Sequence, residues 1–362
     1  MLPVLTIFVK IIDQENSKIW DKYAFGHPDS IAYHLFSWKI IIEKTYGHKT
    51  FYLAAFDNGS KNILTGILPL IHLKHFLFGN SLISIPFFDM GGILADNDET
   101  EKALLDEAIK LGKWLNVDSI EFRHTNKHDC FSKVKLSNSM RYAVKNHKVR
   151  MLLELPESSK ALITSFKSKL RSQIKKSIKM GLESKIGGME LLDDFYKVFL
   201  TNMRDLGSPV HSKKLMQRVM ELFNKHSRIM IVHKDEKPCA ASIIFGFKDI
   251  LENPWSSSLR QYSRLSPNML LYWRMLEYAC DNGYKYFDFG RSTPDEGTYR
   301  FKQQWGAIPH PLFWQYLCLN DKFVDEERSE NSRFNIAIHC WQKLPVPVTA
   351  ILGPMIRKNI GL

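Results

Sequence analysis

The feature that most restricts the fold of this chain is the order of its predicted helices and strands, because the same order occurs twice. In the first half, apolar residues at three- and four-residue spacing predict a helix from Asp29 to Gly47. Strand segments at 50–56 and 63–73, separated by the turn Asp57-Asn58-Gly59-Ser60, predict a β-hairpin. Further patterns follow at 82–85 (strand), 98–115 (helix) and 119–123 (strand). Helices interspersed with strands in this order indicate a small α/β domain.

The second half repeats this order without obvious sequence identity. Its predicted elements are helices at 158–181 and 192–206, strands at 228–233 and 240–247, a helix opened by Ser266-Pro267 and closed by Gly283, and a strand at 285–289. The repeat predicts a duplicated α/β domain. We therefore expect an N-terminal domain at 1–155, a C-terminal domain at 156–320, and a connector with an apolar, proline-punctuated tail at 321–362.

The charge balance favours anionic partners. Lys and Arg number 50 against 38 Asp and Glu, a formal net charge of +12, which suits nucleic acid, phosphate-bearing substrates or an anionic membrane surface. The five cysteines form no Cys-x-x-Cys pair, and the histidines lack metal-ligand spacing. We therefore expect no disulfide framework, no metal site and a cytoplasmic location. The apolar residues up to Ile12 are interpreted as a strand, not a signal peptide, and no apolar run is long enough to span a bilayer.

A polar loop after the strand at 285–289 is the predicted site region. The strand is expected to end at Gly290, followed by a loop that Pro294 and Gly297 punctuate. Charged and hydroxyl side chains are concentrated there: Arg291, Ser292, Thr293, Asp295, Glu296, Tyr299, Arg300 and Lys302. Loops at the ends of strands are where α/β proteins usually carry their chemistry.

These residues resemble the C-terminal signature of FemAB-like proteins. The match comprises Asp288-Phe-Gly-Arg-Ser-Thr293 and Gly297-Thr-Tyr-Arg-Phe-Lys-Gln-Gln-Trp-Gly-Ala307. Weaker matches are Leu68-Pro-Leu70, the Ser84–Gly92 segment, Leu170-Arg-Ser-Gln-Ile-Lys-Lys176 and the Pro-rich tail. The variant associated with PEP-CTERM/exosortase systems is the most similar. Together the matches cover nearly the whole chain.

The resemblance implies an α/β fold of two tandem GNAT-like (acyl-CoA N-acyltransferase) domains, with mixed sheets flanked by helices and a short apolar C-terminal tail. It implies an N-acyltransferase that moves an aminoacyl or acyl group onto a cell-envelope, peptidoglycan or exopolysaccharide precursor. The donor would be aminoacyl-tRNA or acyl-CoA, and no cofactor would be permanently bound. The absence of a clean Arg/Gln-x-x-Gly-x-Gly/Ala loop counts against acyl-CoA. The alternative is a non-catalytic GNAT-like module that binds an anionic lipid-linked glycan or nucleic acid.

Three residues of the signature are candidates for catalysis. Lys302 matches the functional lysine of the family motif and suits the stabilisation of an oxyanion or leaving oxygen; otherwise its stem covers Trp305. Asp288 can orient a cation, accept a proton from the attacking amine, or bond the backbone that follows it. Tyr299 can donate to the carbonyl oxygen or serve as a packed aromatic.

Substrate binding is assigned to four basic residues. Arg291 and Arg300 suit bidentate grip on phosphate or carboxylate, with an ion pair to Asp295 or Glu296 as the alternative. Arg171 aligns with a family position that contacts the acceptor phosphate, and Lys175 lies one turn further along the same helix face. The alternative for this basic helix is a solvated surface.

In the first domain, Asp89, Phe88 and Gly91 are the candidates for a wall that faces the substrate. Paired glycines let a backbone approach a ligand closely, although a tight turn explains them as well. The tail at 344–362 either packs back on the protein or contacts the surface of the inner membrane, since its apolar residues are accompanied by Arg357 and Lys358.

Overall fold

The strands form two separate mixed sheets. The computed structural model describes residues 7–59, 63–133, 140–320 and 332–361. Its strands are β1 (Ile7–Ile12), β2 (Lys49–Asp57), β3 (Ile63–His75), β4 (Gly79–Ile83), β5 (Leu94–Ala95), β6 (Ser119–His124), β7 (Arg141–Lys145), β8 (Val149–Glu154), β9 (Leu182–Gly187), β10 (Ser227–Lys234), β11 (Lys237–Phe247), β12 (Ile250–Ser258), β13 (Tyr286–Ser292), β14 (Ile308–Pro311) and β15 (Phe313–Cys318).

Helices flank both sheets. They are α1 (Ser17–Gly26), α2 (Ser37–Tyr46), α3 (Asp98–Trp114), α4 (Ser159–Ser165), α5 (Ser168–Lys179), α6 (Leu192–Leu206), α7 (Lys213–Leu222), α8 (Pro267–Asp281), α9 (Gly297–Gln303), α10 (Ser332–Lys343) and α11 (Val346–Arg357). No helix in the described ranges is long and apolar enough to cross a bilayer.

The chain divides into two compact units. The first combines the described parts of Met1–Lys148, Pro311–Asp325 and Asn359–Leu362, and the second those of Val149–His310 and Glu326–Lys358. The sheet of the first unit has the order β1-β2-β3-β4-β6-β15-β7, with β5 paired to β3, and the sheet of the second has the order β14-β8-β13-β12-β11-β10-β9. The first sheet contains a parallel pair, β4 with β6, and the second contains a parallel pair, β12 with β13. The neighbouring pairs on either side of these are antiparallel.

Two strands lie in the opposite unit from the one that the sequence analysis assigned. β8 was placed in the N-terminal domain, but it pairs with β13, and its Met151 and Leu153 pack in the core of the second unit. β15 was placed in the C-terminal domain, but it pairs with β6 and β7 in the first sheet. Both assignments followed chain order, whereas strand pairing is a non-local interaction.

Two predicted helices are shorter than expected. The helix at 158–181 is divided into α4 and α5, because Phe166 and Lys167 have extended backbone and the Phe166 ring is buried edge-on against Trp273 and Trp305. The helix expected from Asp29 begins only at Ser37, since Ala32–His34 forms a 3₁₀ turn with buried side chains.

The tail forms two helices. This agrees with its prolines, which are incompatible with one long regular helix. α10 ends at Lys343 and α11 begins at Val346, after the extended Pro345. Residues 321–331 of the predicted connector lie outside the described part of the chain.

Candidate functional site

The parallel pair at the centre of the second sheet is short. β12 and β13 are in register only from Ile250 to Glu252 and from Tyr286 to Asp288, although β12 extends to Ser258 and β13 to Ser292. A register shift in the β11–β12 ladder lies just beyond Glu252. Beyond this ladder β12 stays paired with β11 up to Ser258 and β13 with β8 up to Ser292, but the two strands are no longer in register with each other.

A buried ion pair crosses the sheet where the ladder ends. Asp288 is 1% exposed, its Oδ2 lies 2.6 Å from Arg150 Nε on β8, and its Oδ1 accepts the N–H of Gly290 at 2.7 Å. The buried Glu252 is its register partner on β12, so the two carboxyl groups share one sheet face. Both oxygens of Asp288 therefore hold neighbouring groups in place. Its proposed role as a proton acceptor stays a prediction.

The strand does not end at Gly290, which corrects the sequence analysis. β13 continues to Ser292, and the register with β8 shifts between Asp288 and Arg291. Gly290 adopts a φ of 73° at this irregularity, a conformation that favours glycine. The predicted loop is thus confined to the residues between Ser292 and α9.

Lys302 holds the irregular part of β13. Its Nζ donates to the carbonyl oxygens of Gly290 at 3.1 Å and Arg291 at 2.7 Å, and the residue is 8% exposed. The surface alternative, a lysine whose stem only covers Trp305, is therefore wrong. A buried cation fixed by two carbonyl groups gives this end of the strand a local positive charge.

The other signature residues surround this point. Tyr299, on α9, packs against the core of the second unit as a partly buried aromatic. Arg300 is exposed on the same helix, and Arg291 is half-buried on β13. The structure thus brings Asp288, Arg291 and Lys302 together around Gly290. The catalytic and substrate-binding roles of all five stay predictions.

Buried polar atoms without partners lie beyond the ladder on both strands. Asn253 Oδ1 on β12 and Ser292 Oγ on β13 are buried and have no hydrogen-bond partner within the described residues, and the same is true of Trp305 Nε1. The Nδ2 of Asn253 donates to Tyr272 Oη at 3.3 Å, and the Tyr272 ring lies 6.3 Å from that of Trp305. An unsatisfied buried polar atom is costly, which makes such positions candidates for ligand contact. Ser292 and Trp305 had been selected from the sequence, as parts of the predicted loop and of the signature, whereas Asn253 was missed.

The basic helix meets the signature through its first turn. Arg171 Nη1 donates to the carbonyl oxygens of Thr164 and Phe166, each at 3.0 Å, and so closes the break between α4 and α5. The Phe166 ring lies 5.6 Å from that of Trp305. Lys175 and Lys176 are exposed one turn further along. Arg171 therefore has a structural role besides its predicted phosphate contact.

In the first unit, the predicted wall is a strained, well-packed turn. The Phe88 ring stacks on Tyr33 with centroids 4.2 Å apart, and the carbonyl oxygen of Asp89 accepts the Trp314 Nε1–H at 3.0 Å. Gly91 has a φ of 135°, and a Cβ at this position would lie 3.1 Å from Ile85 Cγ1. The glycine is therefore required by backbone conformation and by close packing, and the binding roles of Phe88, Asp89 and Gly91 stay predictions.

A cavity of about 150 Å³ next to this turn was not expected. The residues that line it include 91–95, His34, Arg123, His124 and His128. His128 Nδ1 lies 2.6 Å from Glu101 Oε1, and burial holds the pKa of His124 well below its usual range. No group of three or more His, Cys, Asp or Glu residues that could hold a metal ion occurs in the described part of the chain.

The second unit matches a known domain family. Residues 164–303 match the protein-family model described as an acetyltransferase (GNAT) domain. The match runs from α4 to the end of α9 and includes the short parallel ladder, α8 and Lys302. No curated protein sequence is significantly similar to the chain.

Solved structures show the fold over most of the chain. FemX has a TM-score of 0.65 at 15% identity, covering 85% of this chain and 96% of its own. The C-terminal domain of a protein from Agrobacterium fabrum named as a lysylphosphatidylglycerol synthetase has a TM-score of 0.56 at 11% identity, covering 84% and 92%. A tandem GNAT protein from the clavulanic acid biosynthesis pathway has a TM-score of 0.52 at 8% identity, covering 87% and 98%. The predicted fold class, an α/β fold of two tandem GNAT-like domains with mixed sheets flanked by helices, is confirmed; the PEP-CTERM link stays a prediction.

Proposed function

We propose that the chain is an acyltransferase that moves an acyl or aminoacyl group from an activated donor to an amine of a cell-envelope precursor. The observation that carries the proposal is the end of the β12–β13 ladder within the GNAT domain. There, buried polar atoms of Asn253 and Ser292 have no partner in the described chain. A donor lying between the two strands would satisfy them.

Two exposed arginines before helix α8 also support the binding of such a donor. The 3₁₀ turn Arg260–Leu265 precedes α8, whose first turn has no acidic residue. Arg260 and Arg264 are exposed there. Cations next to the N-terminus of a helix favour phosphate groups, which both acyl-CoA and tRNA carry. The segment Leu259–Ser266 contains no glycine, so a glycine-rich phosphate loop would not hold them here.

The chemistry needs a neutral amine and a stabilised oxyanion. In the proposed mechanism, the amine attacks the donor carbonyl, a tetrahedral oxyanion forms, and the thiol or hydroxyl leaving group departs with the proton that the amine releases. Lys302 supplies positive charge at the end of β13 and fixes the backbone of Gly290 and Arg291. Asp288 acts as a positioning group through Arg150 and Gly290.

The acceptor class rests on resemblance. FemAB-like sequences point to peptidoglycan precursors, and the name lysylphosphatidylglycerol synthetase, carried by a structural neighbour, points to an amino acid joined to a lipid headgroup. Both acceptors are anionic, and the chain carries a net charge of +12. The exposed Lys175 and Lys176 on α5 are proposed to contribute to that attraction.

The test supplies both donor types to the purified chain. Radiolabelled acetyl-CoA and a mixture of radiolabelled aminoacyl-tRNAs are each incubated with a bacterial lipid extract and a peptidoglycan-precursor extract. Products are separated from donor by thin-layer chromatography. We expect label to be transferred from one or the other donor. We expect the Ser292→Ala variant to transfer at least ten-fold less label than the wild type. Consumption of neither donor, together with tight binding of an acceptor, would identify a non-catalytic binding module instead.

A further inference from the structure

Helix α11 buries its small residues and exposes its large apolar ones. Thr349 is 1% exposed, and Gly353 packs so closely that a Cβ there would lie 2.9 Å from Val210 Cγ1. In contrast, large apolar side chains three and four positions apart are open to solvent: Val348 is 37%, Ile351 68%, Leu352 40% and Met355 60% exposed. A helix that packs on a globular protein normally does the opposite. This orientation indicates an apolar surface that faces something outside the chain.

The charge of the segment indicates which kind of partner. Residues 332–362 contain four basic residues, Arg333, Lys343, Arg357 and Lys358, and no Asp or Glu. A basic amphipathic helix suits the surface of a bilayer that contains anionic lipids, where the apolar face enters the boundary between headgroups and acyl chains. A stable protein interface buries roughly 800 Å² on each partner, which is more than one face of a 12-residue helix offers.

We propose that α11 binds the surface of an anionic bilayer through Val348, Ile351, Leu352 and Met355. The helix is about 18 Å long and lies in the plane of the interface. Lys343, exposed just before the helix, and Lys358, half-buried just after it, contact the lipid headgroups. The binding is peripheral and does not depend on acyl transfer.

A second apolar surface in the first unit supports the same kind of partner independently. At the turn between β3 and β4, Phe76 is 88%, Leu77 64% and Phe78 43% exposed. Lys74 precedes this tip, and the sequence from 63 to 88 contains no Asp or Glu. Aromatic side chains at an exposed tip are favoured at the membrane–water interface. We infer that the 76–78 tip is a second lipid contact.

Flotation of the full chain with lipid vesicles tests the α11 contact. Vesicles of phosphatidylcholine with about one quarter phosphatidylglycerol are compared with vesicles of phosphatidylcholine alone. The buffer contains 0.1 M salt, at which the Debye length is about 10 Å. The wild type should float with the anionic vesicles and remain largely unbound to the neutral ones. I351E/L352E should lower the partition coefficient about ten-fold or more, because it places two carboxylates in the inserted face.

The matched control is Ile308→Glu, which changes an isoleucine 60% exposed on β14 outside both surfaces, and it should float as the wild type does. All variants alter exposed side chains, and circular dichroism melts confirm that they fold. Flotation of I351E/L352E equal to the wild type would overturn the α11 proposal. A dimer in the wild type that becomes a monomer in I351E/L352E with unchanged flotation would show instead that α11 joins two copies of the chain.

The tip is tested separately with F76S/F78S. This variant should lower the partition coefficient for anionic vesicles several-fold, while the α11 contact remains. Its combination with I351E/L352E should therefore abolish flotation. Wild-type partition in F76S/F78S would overturn the second contact alone. Equal binding of the wild type to neutral and anionic vesicles would contradict the electrostatic part of both contacts.

Discussion

Arg150 and Asp288 form a buried ion pair between β8 and β13, with Nε and Oδ2 2.6 Å apart. The two residues are 138 positions apart in the chain, and Asp288 also accepts the N–H of Gly290. The pair therefore ties a strand that precedes the GNAT domain match to the strand that carries its signature. It fixes the position of Gly290, whose carbonyl Lys302 then binds.

Breaking this pair should destabilise the second unit strongly. Asp288→Asn removes the carboxylate that pairs with the Arg150 guanidinium, and removing one partner of a buried ion pair costs about 3–5 kcal/mol in comparable sites. The measurement is urea unfolding followed by circular dichroism. The control is Lys285→Ala, which removes the exposed ion pair with Asp249 and should leave the midpoint unchanged. A midpoint for Asp288→Asn equal to that of Lys285→Ala would contradict the structural role of the pair.

Ser292→Ala should separate stability from activity. Because Ser292 Oγ is buried without a partner in the described chain, its removal should leave the unfolding midpoint unchanged or raise it by the equivalent of about 1 kcal/mol. The same change should raise the KM for the donor about ten-fold. Ser242→Ala is the matched control, since Ser242 Oγ donates to the Trp255 carbonyl at 3.0 Å; this variant should be destabilised. Loss of stability in Ser292→Ala would show that Oγ has a structural partner.

The two exposed lysines of α5 should contribute to substrate attraction and little to folding. K175Q/K176Q removes two positive charges from an exposed helix face, so the KM for an anionic substrate should rise and its dependence on salt should weaken. Arg171→Lys should behave differently, because Arg171 closes the α4–α5 break through two carbonyl groups, and it should lower the melting temperature. Steady-state kinetics at several salt concentrations, with melts of both variants, check this. An unchanged salt dependence in K175Q/K176Q would remove these lysines from the binding surface.

Stability should fall as the pH drops below about 6.5. Burial lowers the pKa of His124 and of His211, with Arg357 adding to the effect at His211. In the unfolded chain these imidazoles regain their ordinary pKa near 6.5, so the unfolded state binds more protons than the folded state below that pH. Melting curves between pH 7.5 and 5 should show the decrease, and His124→Gln should reduce it. A pH-independent melting temperature over this range would contradict the burial of neutral imidazoles.

Local sequence signals predicted the elements that are defined by contacts between residues close together in the chain. Ser266-Pro267 marked the start of α8, and the turn residues that begin at Asp57 marked the hairpin of β2 and β3. β12 was missed because Pro254 and a run of polar residues interrupt its pattern. The exchange of β8 and β15 between units was missed because each strand pairs with residues far away in the chain.

The sequence identified several residues of the candidate site, but it did not predict the contacts that these residues make. Resemblance selected Lys302 and Asp288, and the structure then showed that each binds the backbone or a neighbour around Gly290. Ser292 was selected with the predicted loop, but the lack of a hydrogen-bond partner at Asn253 and Ser292 within the described residues could not be predicted, because it is a property of the packed structure. Glu252 was missed because β12 itself was missed.

Transfer kinetics of a Lys302 variant test the central claim most directly. With the donor and acceptor that give product for the wild type, Lys302→Met should lower kcat by on the order of 100-fold with a small change in KM, because it removes positive charge where the oxyanion develops. Lys302→Arg should restore part of kcat, and Lys179→Met, at the exposed end of α5, should match the wild type. Circular dichroism of each variant confirms folding. A folded Lys302→Met variant with wild-type kcat would contradict the assignment of the acyl-transfer site to this end of β13.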